Sequence, residues 1–291
     1  MDHLSVFIRV VEAGSFTAAA RITGTTPSSI SKSMARLEAR LGIRLFKRST
    51  RAFGLTPEGA VYFERVAPLV RGIEEAGDEV SGPADATGQL RISVPADFGR
   101  LLVNALTCRF LEKNPGLRLD LSMSDRHVDV IREGYDGAVR VGNVADTGLI
   151  ARPLGVLSLV LVASPQYLGR RGMPESISAL GAHDHIRYML AGRPFPIAFE
   201  RGDFVPPTGP FDADSGEALR LAAVNGLGIV QILRASVHEE LLAGKLVPVL
   251  ADHALRPVPI QILHAFSRTV PLRVRALFDF LDLEIGRLRS L

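Results

Sequence analysis

Two groups of side chains in the first sixty residues have the types and spacing needed to grip a polyanion. The first is Thr26-Pro27-Ser28-Ser29-Ile30-Ser31-Lys32, running on to Arg36-Leu37-Glu38. The second is Arg44-Leu45-Phe46-Lys47-Arg48-Ser49-Thr50-Arg51, which holds four cations and no acid. Ser, Thr, Lys and Arg donate to phosphate oxygens, and the same groups reach base edges. Small residues at Ser28, Ser29 and Ala35 let a helix backbone sink into a groove. Residues 1–60 carry nine Lys/Arg against four Asp/Glu, a net +5; the whole chain is +3, so the remainder sums to −2. Positive charge concentrated in this way is the footprint of phosphate binding. A polar helical face is ordinarily just solvated; the basic segment behind it turns the reading toward nucleic acid.

Apolar spacing defines the elements that must hold these residues. Leu4, Phe7, Ile8 and Val11 recur at i, i+3, i+4, i+7 and predict a first helix. Phe16, Ala19, Ala20 and Thr23 form the inner face of a second, whose alanines allow close packing. Thr26 can cap a third helix, and Pro27 suits its first position, where the N–H is unpaired anyway. Ile30, Met34, Leu37 and Leu41 form its apolar side, leaving Ser28, Ser29, Lys32 and Arg36 on the far side. A basic hairpin from Leu41 to Leu55 completes a winged helix-turn-helix layout. Thr56-Pro57 opens a long helix in which Val66, Leu69, Val70, Ile73, Ala76 and Val80 have near-heptad spacing, ending near Ser81-Gly82-Pro83. A second copy of the helix is the simplest cover for that stripe; packing on the chain's own C-terminal part is the alternative. Pro83 to Gly88 reads as a hinge.

From Gln89 onward strand and helix signals alternate, which indicates an open α/β sheet. Strands are predicted at 89–94, 117–123, 136–141, 157–163, 228–233 and 258–264; helices at 98–113, 127–133, 216–224 and 272–289. In such sheets ligands bind beyond the carboxyl ends of strands, often at helix N-termini. Ser93-Val94-Pro95-Ala96-Asp97-Phe98-Gly99, Arg140-Val141-Gly142 and Asp214-Ser215-Gly216-Glu217 are junctions of that kind.

With 291 residues, 47% of them hydrophobic, the chain can form more than one domain and bury a real core. No apolar stretch is long enough to span a membrane. Met1-Asp2-His3 leads straight into an amphipathic helix, so no signal peptide and a cytoplasmic setting are expected. Cys108 is the only cysteine; it excludes an intrachain disulfide and reads as ordinary packing. Signals for catalysis are weak. His183-Asp184-His185 looks like a polar surface loop without a third ligand, so no metal is expected. Ser215-Gly216 lacks the surroundings of a nucleophile elbow, and Gly226-x-Gly228 precedes a strand, the wrong order for a dinucleotide site. No cofactor and no enzyme activity are expected.

The segment Phe7 to Ala19, with Val10 or Val11, Glu12, Gly14, Ser15 and Phe16, resembles the N-terminal signature of LysR-type transcriptional regulators. So do the recognition-helix residues above, the wing Leu41-Gly42-x-x-Leu45-Phe46-x-Arg48-x-x-Arg51, and Leu55-Thr56-Pro57-Glu58-Gly59. Ser122-x-Ser124-Asp125-Arg126, Gly134-Tyr135-Asp136-x-Ala138-Val139-Arg140-Val141-Gly142, Gly216-Glu217-Ala218-Leu219-Arg220 and Gly226-Leu227-Gly228-Ile229 are similar to one large subgroup, so the resemblance covers nearly the full length.

The resemblance implies a DNA-binding head at 1–59, a dimerising linker helix and hinge at 60–88, and an effector domain at 89–291. That last domain would be similar to type 2 periplasmic binding proteins, with crossover strands near Val160–Ser164 and Ile262–Ser267. Thr26, Ser28, Ser29, Lys32 and Arg36 would face the major groove, with Arg48 and Arg51 on phosphates or in the minor groove. Pro95, Ala96, Asp97, Phe98, Arg140, Gly142, Ser164, Asp214, Ser215 and Gly228 would line the effector cleft. The implied partners are promoter DNA, a small organic acid or aromatic effector, and a second or fourth copy of the chain, with room for RNA polymerase. A solute-binding protein or an enzyme bearing a basic helical head is the alternative. The chain departs from the pattern at Lys32-Ser33, where many members have Gln, at Ile197-Ala198-Phe199, where Trp-x-Phe is usual, at Asp214 for Asn and at Leu233 for Pro. Asp214 would either turn the cleft away from simple anions or face solvent.

Overall fold

A computed structural model describes residues 3–47, 53–80, 86–144, 148–266 and 270–291, without the side chains of 68, 71, 72 and 74–80. Helices α1 (His3–Ala13), α2 (Phe16–Ile22) and α3 (Pro27–Leu41) wrap a core that includes Phe7, Ala19, Ile30, Leu37 and Leu45. The Ser15 hydroxyl caps α2 by accepting from Ala18 N–H at 3.0 Å, and Gly42 ends α3 in the left-handed region (φ 68°). Helix α4 (Pro57–Val80) begins at Thr56, whose hydroxyl accepts from Gly59 N–H at 2.9 Å.

The apolar stripe of α4 divides. Val66 packs on the head and Val70 is buried in its core with Phe63 and Ala67, whereas Leu69 and Ile73 are 66% and 72% exposed. Only part of the predicted stripe therefore lacks a cover within the chain. The Ala76 and Val80 side chains, and the hinge at Pro83, lie outside the described residues.

The rest builds two sheets. The first contains β1 (Gly88–Val94), β2 (Leu117–Met123), β3 (Gly137–Val141), β4 (Ile150–Leu157) and β13 (Val258–His264), in the order β2-β1-β3-β13-β4. Strand β1 runs parallel to β2 and β3; β13 runs antiparallel to β3 and β4. Helix α5 (Ala96–Ala105) continues through a π-helical turn at Leu106–Phe110 into α6 (Leu111–Lys113). Together with α10 (Leu272–Arg289) it covers Leu90, Ile92, Val94 and Ile262.

The second sheet has the order β10-β6-β11-β5-β12, from β5 (Leu159–Ala163), β6 (His185–Leu190), β10 (Phe211–Ala213), β11 (Ile229–Leu233) and β12 (Val247–Pro248). Helix α8 (Gly216–Val224) packs on one face and α7 (Pro165–Arg171) on the other. The short β7 (Arg193–Pro194) pairs with β6, β8 (Ile197–Phe199) pairs with β9 (Gly202–Phe204), and α9 (His238–Leu242) follows β11.

Several expectations are corrected. The apolar run 157–163 is two strands: Leu157 closes β4 in one sheet and Leu159 opens β5 in the other. The chain returns between Pro248 and Val258. Both crossings therefore precede Val160–Ser164 and Ile262–Ser267, because β5 and β13 each pair along their length within a single sheet. The helix expected at 127–133 is one turn closed by Glu133 N–H to Asp129 C=O at 2.9 Å. The Asp129 and Glu133 side chains cap its start, accepting from Arg132 N–H and Asp129 N–H at 3.0 Å each, and Gly134 (φ 73°) ends it after that one turn. His185 does not lie on a surface loop; it opens β6, is 2% exposed, and its Nε2 meets Leu180 C=O at 2.8 Å. Cys108 is exposed on the π-turn rather than packed.

A methyl group added at Gly59 would sit 2.1 Å from the Leu45 carbonyl oxygen. Gly59→Ala should therefore destabilise the head by about 1–3 kcal/mol and lower its urea midpoint. An unchanged midpoint would show that the base of the wing does not press on α4.

Candidate functional site

On α3, Ile30, Met34 and Leu37 point into the head, and Ser28, Ser29, Lys32 and Arg36 are exposed together. Thr26 is exposed too, but its hydroxyl is engaged as the cap, accepting from Ser29 N–H at 3.3 Å. Ser33 is half-buried with its hydroxyl 2.8 Å from His3 Nδ1. Of the pair Lys32-Ser33, only Lys32 belongs to the open face.

The wing is fixed to α3 by a residue whose role the sequence did not reveal. The Glu38 carboxylate accepts from Leu45 N–H at 2.7 Å and Phe46 N–H at 3.2 Å, and pairs with Arg44 at 3.2 Å. Phe46 then bridges to Leu55, and its ring packs on Phe16 (centroids 5.2 Å) and Phe53 (5.5 Å). Arg44 and Lys47 are exposed. Arg48 and Arg51 lie outside the described residues.

A second site forms where strand ends converge. The parallel strands β1, β2 and β3 end at one edge of their sheet, bringing Pro95, Ala96, Asp97, Asp125, Arg140 and Gly142 to it. Strands β6 and β10 are parallel, with Ala213 opposite Tyr188; β10 ends there and leads into Asp214–Gly216, while β6 continues to Leu190. The two edges meet through Asp97. Its carboxylate accepts from the Gly216 N–H, and from Glu217 N–H at 2.8 Å, the first amides of α8. A residue of one α/β unit thus caps a helix of the other, where unpaired N–H groups and the helix dipole favour an anion. A Cβ at Gly216 would come 2.7 Å from that carboxylate, so a side chain there would displace Asp97. Arg100 reaches across to Glu217 at 3.1 Å, and Arg220 holds the same Glu217 at 2.6 Å. Ser215 caps α8 from its own side, accepting from Ala218 N–H at 3.4 Å.

Asp125 likewise accepts from Ala96 N–H at 3.2 Å, at the start of α5. Desolvation, then the charges of Asp97 and Asp214, hold its carboxyl above the usual range against the pull of Ala96 N–H and Arg140. Burial, then Asp125, Asp97 and Asp214, pushes the Tyr188 phenol up to about 12. Arg140 is 8% exposed; its Nη1 donates to Val139 C=O at 2.9 Å, and it makes no ion pair among the described residues. Burial lowers its proton affinity, and the charge of Asp125 works the other way.

Other expected residues fall elsewhere. Phe98 is buried in the first core. Ser164 caps α7, accepting from Tyr167 N–H at 3.2 Å, and Gly228 lies against the Asp184 backbone. Strand β5 enters its sheet antiparallel to β11, so Ser164 and Gly228 sit by the start of β6, at the opposite end from Tyr188 and Asp214. Gly142 does lie at the cleft edge, where it turns the chain after β3 (φ 95°), its N–H donating to Pro259 C=O at 2.8 Å. Asp125, Tyr188 and Arg100 were not anticipated. Asp125 stood in a quoted motif without an assigned role, and Tyr188 lies on a strand that the sequence did not reveal.

Among the described residues no group of three His, Cys, Asp or Glu is placed to hold a metal, and no helix is long and apolar enough to cross a membrane.

Residues 1–60 match the family described as bacterial regulatory helix-turn-helix protein, lysR family, and residues 83–284 match the LysR substrate binding domain. The uncharacterized HTH-type transcriptional regulator YhjC of Escherichia coli K12 is 34% identical over 284 residues, covering 96% of this chain and 95% of that protein. The solved structure of CrgA, a LysR-type transcriptional regulator of Neisseria meningitidis, is 32% identical over 98% of this chain and 99% of its own, with a TM-score of 0.64. That of AphB, a Vibrio cholerae virulence activator, is 30% identical over 98% of both chains, with a TM-score of 0.60. The chain belongs to the LysR family: it is a DNA-binding transcriptional regulator whose helix-turn-helix head is joined to an effector-binding α/β domain of the periplasmic-binding-protein kind.

Proposed function

We propose that residues 1–59 bind promoter DNA, 60–88 pair two copies, and 89–291 sense a small molecule in the cleft closed by Asp97. Ser28, Ser29, Lys32 and Arg36 read the major groove, and Arg48 and Arg51 hold phosphates or the minor groove. Pro95, Ala96, Asp97, Arg140, Gly142, Asp214 and Ser215 serve the effector. The exposed Leu69 and Ile73 on α4 support assembly as a dimer or tetramer. The protein acts in the cytoplasm by binding rather than by catalysis.

One observation carries this reading: the cleft and the head meet within the chain. Asp125 is followed by Arg126, whose guanidinium pairs with Glu133 at 2.8 Å. The turn between them packs Ile131 on the head's core and sets Arg132 Nε 3.1 Å from Glu64 on α4. The ion pair is exposed and contributes little stability; its role is positional. An effector that binds the open and closed clefts with different affinity would shift this turn, and with it the angle of the paired heads.

Arg36→Ala should weaken specific operator binding by about 1–3 kcal/mol and relax the base preference at one position, measured by fluorescence anisotropy. Unchanged affinity and preference would remove Arg36 from the interface. Affinity for the same duplex should fall steeply with added salt; a flat profile would contradict phosphate-led binding. Arg132→Glu should change operator affinity, and adding Glu64→Arg should restore it. Strictly additive effects of the two reversals would show that the contact transmits nothing.

A further inference from the structure

The cleft contains two opposite and unmet demands. The charges of Asp97 and Asp214 act on Asp125, and all three act on Tyr188, in a partly desolvated space where like charges repel unless a cation joins them. Asp97 is answered by the α8 amides and Asp125 by one N–H of α5. Asp214 is exposed and takes no hydrogen bond or ion pair among the described residues.

Arg140 presents the other demand. Arg140 is 8% exposed, its Nη1 donates to one backbone carbonyl, and it pairs with no carboxylate among the described residues. Ser93 is fully buried, and its hydroxyl has no partner among the described residues. Ser93 stands opposite Ala138, two residues before Arg140 on β3, so both side chains share one face of the sheet. A buried hydroxyl without a partner and a largely buried arginine without a carboxylate are both costly. A planar carboxylate is the group that Arg takes most readily. The helix N-termini offer an anion no competing place, because Asp97 occupies that of α8 and Asp125 that of α5.

We infer that the effector is a small zwitterion of the amino-acid type, its carboxylate on Arg140 and its ammonium between Asp125 and Asp214. The inference rests on the cleft being the effector site and narrows the ligand class there. An organic acid answers Arg140 and leaves the aspartates facing one another; a neutral aromatic answers neither.

The test uses the full-length protein in thermal-shift and calorimetric titrations with matched sets: an L-amino acid, its deaminated acid and its decarboxylated amine. Phenylalanine, 3-phenylpropanoate and phenethylamine form one set; the other common amino acids supply the rest. At least one amino acid should bind, with its acid and amine roughly 10- to 100-fold weaker. Asp214→Asn should weaken the amino acid by a similar factor and leave the acid unaffected; Arg140→Lys should weaken both. Asp214 is exposed, so its substitution decides the matter even if Arg140→Lys fails to fold. The inference is overturned if no amino acid binds. It is also overturned if an acid or amine binds better than its zwitterion while responding to either substitution, an outcome that leaves the cleft as the effector site. Ligands that bind and ignore both substitutions would remove the cleft itself from that role.

Discussion

The Asp97 carboxylate on the first amides of α8 is the contact on which the geometry of the sensing region depends. The two α/β units are also joined by the chain's crossings, from β4 into β5 and from β12 back to β13, by Leu233 of β11 against the first core, and by Arg234 Nε donating to Leu291 C=O at 3.1 Å. Crossings of that kind fix a hinge but not an angle. A carboxylate on a helix N-terminus supplies the angle, because charge-assisted hydrogen bonds are directional and the helix dipole favours the anion. Arg100 on Glu217 works across the same seam. Asp97, Gly216 and Glu217 are all half-buried.

That seam lies one short segment from the DNA head. Asp125 shares the cleft with Asp97, and the residues after it run through Arg126, Glu133 and Ile131 to Glu64 on α4. At the other end, Glu38 ties α3 to the chain at Leu45 and Phe46, where the wing begins. Coupling between the two ends must be reciprocal: whatever the cleft does to DNA affinity, DNA does to the cleft by the same factor.

Much of this was legible in the residues. Thr26-Pro27 and the spacing of Ile30, Met34 and Leu37 located α3 and its exposed face, because capping and period depend only on local sequence. Asp97 and Gly216 were named as junction residues, but their contact joins positions far apart in the chain and has no local signal. Ser164 and Gly228 looked equivalent to the other junctions. The antiparallel entry of β5, a property of the assembled sheet, puts them at its far end. The same limit hid the break at Ser158, since Leu157 and Leu159 are equally apolar and only their partners differ. Tyr188 was missed because β6 reads weakly, its buried His185 and Ile186 giving way to half-buried polar residues.

The most direct measurement of the closure is amide hydrogen exchange at Gly216 and Glu217 in wild-type protein and in Asp97→Ala. Slow exchange in the wild type, and fast exchange confined to the first turn of α8 in the variant, is the expected result. Equal rates at both amides in the two proteins would mean that Asp97 does not hold the two units together.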